Sequence, residues 1–141
     1  MELKECINFL LTNAQHNVFQ YLSKRLTEYD VTPLQHGVLS CLMGKSYDTP
    51  KHLAENLSLE TSTISGVLDR MQKKGLIDRV VNKEDRREVQ VRITEKGREL
   101  EEQITVVIDD VNAEVLKSFT DDEIAYLKNS LRHIASSNFG E

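Results

Sequence analysis

Apolar positions recur along this chain at two spacings, and the switch from one to the other marks its most informative stretch. Within residues 61–94, Ile64, Val67, Leu68 and Met71 stand at offsets 0, 3, 4 and 7, the stripe of an amphipathic helix. The opposite face carries Ser62, Ser65, Asp69, Arg70 and Lys73, which are small, hydrogen-bonding or charged. Gly75 then supplies a helix stop. Two β-like runs follow, residues 76–82 and 88–94, parted by the charged tip Lys83-Glu84-Asp85-Arg86-Arg87. In the second run Val89, Val91 and Ile93 alternate with Gln90 and Arg92, the period of a half-buried strand.

The same pattern extends to both sides. Thr49-Pro50 is a cap followed by proline at the first helical position, Leu53, Ala54 and Leu57 form a short apolar face, and Ser58-Leu59-Glu60 connects to the next helix. Farther upstream, Leu3, Ile7, Leu10, Ala14, Val18, Tyr21 and Leu22 line a helix expected to end near Asp30. Thr32-Pro33-Leu34-Gln35 is a capping box that opens a second helix along Leu34, Val38, Leu39 and Leu42, stopping at Gly44. Downstream, Thr94 caps a long helix striped by Leu100, Ile104, Val107, Ile108, Val111 and Val115. Thr120 and Glu123 form another capping box, before a last helix with Ile124, Leu127, Leu131 and Ile134.

Two short helices joined by a brief turn match a helix-turn-helix, whose second helix enters the major groove of DNA. An ordinary helical hairpin with a solvated outer face is the plain alternative. The basic-tipped hairpin following at the right place favours a winged helix that reads DNA. The expected fold is mainly α with a small β-hairpin wing and six helices, in a single domain over residues 1–141. Its DNA-binding lobe spans 32–94, flanked by dimerisation helices over 1–30 and 95–137.

Charge alters this picture only when taken locally. The whole chain carries a formal net charge of −5, which alone argues against a nucleic-acid partner. Residues 61–92, however, hold eight cations against five anions, so this stretch is +3 and the remainder −8. One lobe facing phosphate, with the rest kept off it, gives such asymmetry. The aliphatic stripes at both chain ends are wider than so small a lobe needs. Because helix-turn-helix proteins read two half-sites through a twofold dimer, the first helix and the last two are expected to make that dimer.

The 141 residues suffice for one real core. No apolar run is long enough to cross a membrane and no charged-then-apolar leader opens the chain, so a soluble cytoplasmic protein is expected. Cys6 and Cys41 make neither a disulfide framework nor a zinc pattern, and no cofactor motif is present. There is no Gly-rich phosphate loop, nucleophile elbow or H-E-x-x-H, which removes the common enzyme classes. A winged helix used only for protein interaction would lack arginine readers, whereas Arg70, Arg86 and Arg87 are present.

With D-R-R at the wing tip (Asp85, Arg86, Arg87) and T-E-K-G-R-E-L after it (residues 94–100), the chain resembles the MarR-type transcriptional regulators over essentially its whole length. The resemblance implies an obligate homodimer on a palindromic operator in double-stranded DNA, most often a repressor. It also implies that Asp85 orients an arginine, here Arg87, that enters the minor groove. A narrow minor groove concentrates negative potential, and a carboxylate fixes the guanidinium fork.

On the recognition helix, Ser62, Thr63, Ser65, Gly66, Asp69 and Arg70 can reach base edges, Arg70 being the best candidate for a bidentate guanine contact. Lys73, Lys74 and Lys83 are expected on phosphates. Gly66 weakens the helix interior, which either a close approach to DNA or a tight helix–helix contact would explain. Asp69 could hold Arg70 or a wing arginine instead of touching a base. The resemblance further implies a cleft for a small aromatic or phenolic effector, with Phe9, Asn13, His16 and His36 as candidate lining. His16, His36, His52 and His133 lack a cluster at metal spacing, so no metal is expected. A redox-sensing variant through Cys6 is the other alternative. Glu2 and Glu5 beside it are the opposite of the electropositive setting a reactive thiol needs, and Cys6 and Cys41 read as small apolar fillers.

Overall fold

Reciprocal caps start two of the helices. Thr32 Oγ1 accepts the Gln35 N–H at 3.2 Å while the Gln35 amide accepts the Thr32 N–H at 3.3 Å, and Thr120 and Glu123 repeat the arrangement. The computed structural model describes residues 1–81, 83, 84 and 88–140. Its helices are α1 (Ile7–Leu26), α2 (Pro33–Leu42), α3 (Pro50–Leu57), α4 (Thr61–Lys73), α5 (Glu95–Leu116) and α6 (Asp121–Ser136). The strands β1 (Ile77–Val81) and β2 (Val89–Ile93) pair antiparallel between α4 and α5, with Ile77 opposite Ile93 and Val81 opposite Val89. Six helices and a hairpin were expected in this order.

Three details differ from the sequence expectation. The N-terminal helix is not continuous to Asp30: a 3-10 turn at Leu3–Glu5 precedes α1, and a second at Thr27–Tyr29 follows it. Asp30 then adopts φ 54°, a left-handed conformation that no helix can continue through. The hairpin strands are shorter than the runs 76–82 and 88–94. Finally, Asp48 adds a third rung to the sheet. Its N–H donates to the Val91 carbonyl at 2.9 Å and its carbonyl accepts the Val91 N–H at 2.7 Å. β2 therefore lies between β1 and the segment before α3. A single residue of extended chain leaves no alternating pattern to read.

The chain divides into two compact units, Met1–Ile108 and Asp109–Glu141. In the first, α2, α3 and α4 pack on one another and on the hairpin. Val38, Leu39, Leu42, Leu53, Ala54, Ile64, Val67, Leu68, Met71, Leu76, Ile77 and Val91 are buried there. Each large aliphatic side chain removed from water contributes about 1.5–3 kcal/mol before entropy. Gly75, at φ 77°, ends α4 and turns the chain into β1.

The T-E-K-G signature has a steric cause. A Cβ on Gly97 would lie 2.3 Å from the Leu76 carbonyl oxygen and 2.8 Å from Ile93 Cγ1, so the first turn of α5 can seat on the hairpin base only with glycine there. Thr94 Oγ1 accepts the Gly97 N–H at 3.1 Å and donates to the Gly75 carbonyl at 2.6 Å, capping α5 and fastening it to the end of α4. In the second unit, α6 has no buried residue, and Tyr126, Leu127, Leu131 and Ile134 are exposed.

Candidate nucleic-acid interface

The recognition helix α4 is divided cleanly by burial. Ile64, Val67, Leu68 and Met71 face the core, each 2% exposed or less. Ser62, Thr63, Ser65, Asp69, Arg70 and Lys73 are exposed. The turn that sets α4 against α3 passes through Ser58 at φ 55°, where the N–H groups of Ser58 and Leu59 return to the last turn of α3.

Gly66 has no neighbouring helix. Among the described residues, the only atoms within 4 Å of a Cβ built on it are those of the Arg70 guanidinium, Nη1 at 3.6 Å and Nη2 at 3.8 Å. The helix–helix explanation for this glycine therefore does not hold. Gly66 instead leaves an open strip beside the exposed Arg70 on the outer face.

Asp69 is paired with an arginine of the hairpin. Its Oδ1 lies 2.6 Å from Arg79 Nη2, and Arg79 Nε donates to Gln72 Oε1 at 2.6 Å. Arg79, on β1, was missed as a site residue because it entered the sequence reading only as one of eight cations. Its signal lies in the partner helix, where Asp69 and Gln72 stand one turn apart. Lys73 and Lys83 are exposed. Lys74 is turned into the fold: its ammonium donates to the Asp30 carbonyl at 2.6 Å and to the Gln35 amide oxygen at 3.1 Å. With those donors engaged it is a brace between α4 and the start of α2, not the free phosphate contact expected of it. Asp85, Arg86 and Arg87 lie outside the described residues.

A buried acidic centre behind the interface was also missed. Asp48 is 7% exposed and accepts from Lys45 Nζ at 3.0 Å, from the Thr49 N–H at 2.8 Å, and lies 2.8 Å from His52 Nδ1. Burial pushes its carboxyl up, but the hydrogen bonds from Lys45, Thr49 and His52 outweigh it and hold the group below the ordinary carboxylate value. Asp48 thus fixes the start of α3 to the sheet through its backbone and side chain at once.

Asn13 and His16 are exposed on α1 and Phe9 is half-buried; none of them, nor His36, lines the cleft at the end of α4 bordered by Tyr29, Lys73, Lys74 and Lys96. His36 Nδ1 instead lies 3.1 Å from Oε2 of Glu101, a carboxylate on α5 that is 4% exposed. Glu101 had a legible signal. It stands three residues before Ile104 in the apolar register of α5, where a charge needs a partner. Cys41 is half-buried, and burial pushes its thiol up, Lys45 acting to lower it and Asp48 to raise it. A thiol kept protonated is a weak nucleophile. Among the described residues no three His, Cys, Asp or Glu side chains gather as a metal site, and no helix is long and apolar enough to cross a membrane.

Comparison with known proteins places these features in context. A family model described as MarR family matches residues 29–88. The chain is 33% identical to the HTH-type transcriptional regulator MgrA of Staphylococcus aureus over 130 residues, covering 92% of this chain and 87% of that protein. A cysteine-to-serine mutant of MarR from E. coli, solved in complex with operator DNA, superposes with a TM-score of 0.85 at 30% identity, covering 95% of this chain and 99% of that one. BpsR of Bordetella bronchiseptica, whose DNA binding is regulated by 6-hydroxynicotinic acid, shares the fold with a TM-score of 0.92 at 20% identity, covering 98% of this chain and 99% of that one.

Proposed function

The chain belongs to the MarR family of transcriptional regulators, and from that premise we propose that it represses transcription in the cytoplasm, binding a palindromic operator as a homodimer and leaving it when a small aromatic ligand binds. The observation that carries this reading is the recognition helix. Its four apolar residues are sealed in the core while Ser62, Thr63, Ser65 and Arg70 stand exposed together on one helix. That face presents hydrogen-bonding groups and a guanidinium in the form the major groove can read. Arg87, oriented by Asp85, is proposed for the minor groove on the strength of the wing motif, and Lys73 and Lys83 for phosphates.

The homodimer is supported by apolar side chains exposed on both terminal segments. On α1 and the turn before it these are Leu3, Ile7, Leu10, Val18 and Phe19, and on α6 Tyr126, Leu127 and Leu131. Stripes of this extent need a cover, and a second copy supplies the twofold that a palindrome matches. The ligand-released mode is supported by the regulation of BpsR by an aromatic acid.

Selection of bound sequences from random duplexes tests the reading. The expected outcome is an inverted repeat whose half-sites lie about one helical turn apart. Enrichment of no sequence, or of a single unrepeated half-site, would refute it.

A further inference from the structure

His52 stands in the first turn of α3, the leading helix of the helix-turn-helix, with Leu53 and Ala54 after it sealed in the core. Its side chain is half exposed, held by the lobe at one ring nitrogen. The held nitrogen is Nδ1, which lies 2.8 Å and 3.0 Å from the two carboxylate oxygens of Asp48. Among the described residues Nε2 has no partner. Burial opposes ionisation of Asp48, yet the hydrogen bonds from Lys45, Thr49 and His52 outweigh it and keep the carboxyl below its ordinary value. An ionised carboxylate only accepts, so Nδ1 carries a proton. In a neutral imidazole that is the one N–H, and Nε2 is left with a bare lone pair. The charged groups around the ring are Asp48 and Lys45 from the segment before α3, with Lys51 and Glu55 on α3 itself. The Cys41 thiol of α2 lies close enough to feel Lys45 and Asp48. Among the described residues no ion pair reaches His52 from α4 or β2, the other elements packed on α3.

In a helix-turn-helix the first helix crosses the phosphate backbone while the second reads the groove. We infer that His52 is a phosphate contact of that first helix and that, because Asp48 fixes its tautomer, it takes up a proton when the chain binds DNA. The contact rests on the DNA-binding reading proposed above; the tautomer does not. A phosphodiester oxygen carries no proton and only accepts. The lone pair of a neutral Nε2 offers it nothing, whereas the N–H of an imidazolium gives a charge-assisted bond that Asp48 supports from the other side of the ring. Wherever the free imidazole is neutral, the complex therefore holds one more proton per half-site than the free chain. The state that binds more protons is favoured as pH falls, so affinity for DNA rises on acidification and declines toward alkaline pH. A lysine on phosphate, as proposed for Lys73 and Lys83, makes binding depend on salt but not on pH in this way.

Long-range nitrogen–proton NMR spectra of the free full chain at about pH 8 test the tautomer without DNA. Nδ1 of His52 is protonated there and Nε2 is not; the reverse assignment, or an equal mixture of the two, overturns the inference. The second arm measures affinity for the selected duplex at about pH 6 and pH 8 over a salt series, in the natural chain and in His52→Gln, whose amide cannot change its charge. At the lower pH His52→Gln weakens binding about tenfold per half-site and lowers the slope of log affinity against log salt by about one per half-site. At the higher pH the two proteins bind alike, with equal salt slopes. Equal losses at both pH values, or none at the lower one, overturn the proton-linked contact while leaving the DNA reading intact. A chain with the expected tautomer that binds no duplex at either pH overturns the contact together with the DNA reading.

Discussion

Asp69 and Arg79 meet at 2.6 Å across the junction of the recognition helix and the first wing strand. Gln72 accepts a second hydrogen bond from the same guanidinium at 2.6 Å, so one strand residue spans a full turn of the helix. Both side chains are partly exposed, which limits the pair to about 0–1 kcal/mol of stability. Its larger consequence is the register it sets between the helix and the hairpin. Arg79→Met is expected to leave thermal stability nearly unchanged while reducing discrimination between the selected and a scrambled duplex. The reversed pair, Asp69→Arg with Arg79→Asp, should restore part of that discrimination. Lost stability with intact discrimination would reduce the pair to a brace of the lobe.

Arg70 and Lys73 stand on the same exposed face of α4 but should fail differently when removed. Arg70→Ala is expected to cost about 1–3 kcal/mol on the preferred duplex and to relax base choice at one position per half-site. Lys73→Ala should weaken all duplexes alike and lower the slope of log affinity against log salt by about one. Lys74→Ala should act chiefly on folding, by about 1 kcal/mol, since its ammonium braces Asp30 and Gln35. Affinity measured over a salt series, beside chemical denaturation, separates the three. Equal behaviour of Arg70→Ala and Lys73→Ala would displace Arg70 as base reader.

Arg87 belongs to the wing motif, and its proposed place is the minor groove flanking each half-site. Groove width there varies with sequence while the base code is degenerate. Arg87→Ala should therefore lose affinity mainly on duplexes with A·T-rich flanks. Asp85→Ala should give a weaker version of the same loss. Titrations of paired duplexes differing only in their flanks measure this, and equal losses on both would make Arg87 a plain phosphate contact.

Asp48 gives the lobe an acid-sensitive joint. Its folded pKa is held below the ordinary carboxylate value, so its contribution is complete above the unfolded value, about 3.9, and is lost as pH falls through the lower folded one. Acid unfolding should steepen below about pH 4. Asp48→Asn, which keeps the backbone bridge to Val91 but removes the charge facing Lys45 and His52, should destabilise the neutral protein by about 1.5–3 kcal/mol and flatten that acid limb. Denaturant midpoints over pH 3–7 check it; a slope shared by both proteins would mean other carboxylates dominate.

The exposed apolar side chains of α6 predict an oligomer. Leu131→Lys, placed in that stripe, should shift the chain toward monomer in sedimentation equilibrium and weaken DNA binding with it, while the lobe stays folded by circular dichroism. A monomeric variant that kept full operator affinity would overturn the dimer reading.

Whatever depends on neighbours within one helical turn or one strand was legible in the amino-acid order alone. The stripe Ile64, Val67, Leu68 and Met71 proved buried to the last residue, and the boxes Thr32/Gln35 and Thr120/Glu123 both closed. Cap and stripe are set by the 3.6-residue period, which needs no knowledge of the rest of the chain. The partners of charged side chains were a different matter. Arg79 finds Asp69, Lys74 finds Asp30 and His36 finds Glu101, across separations of ten to sixty-five residues. Long polar side chains have several acceptors within reach, and which one is taken follows from the path of the backbone and the desolvation each choice costs. Period and capping thus determined the elements and which face of α4 stays exposed. Only the tertiary structure decided that Lys74 and Asp69 serve the lobe itself, and that a cleft edged with lysines lies at the end of the recognition helix.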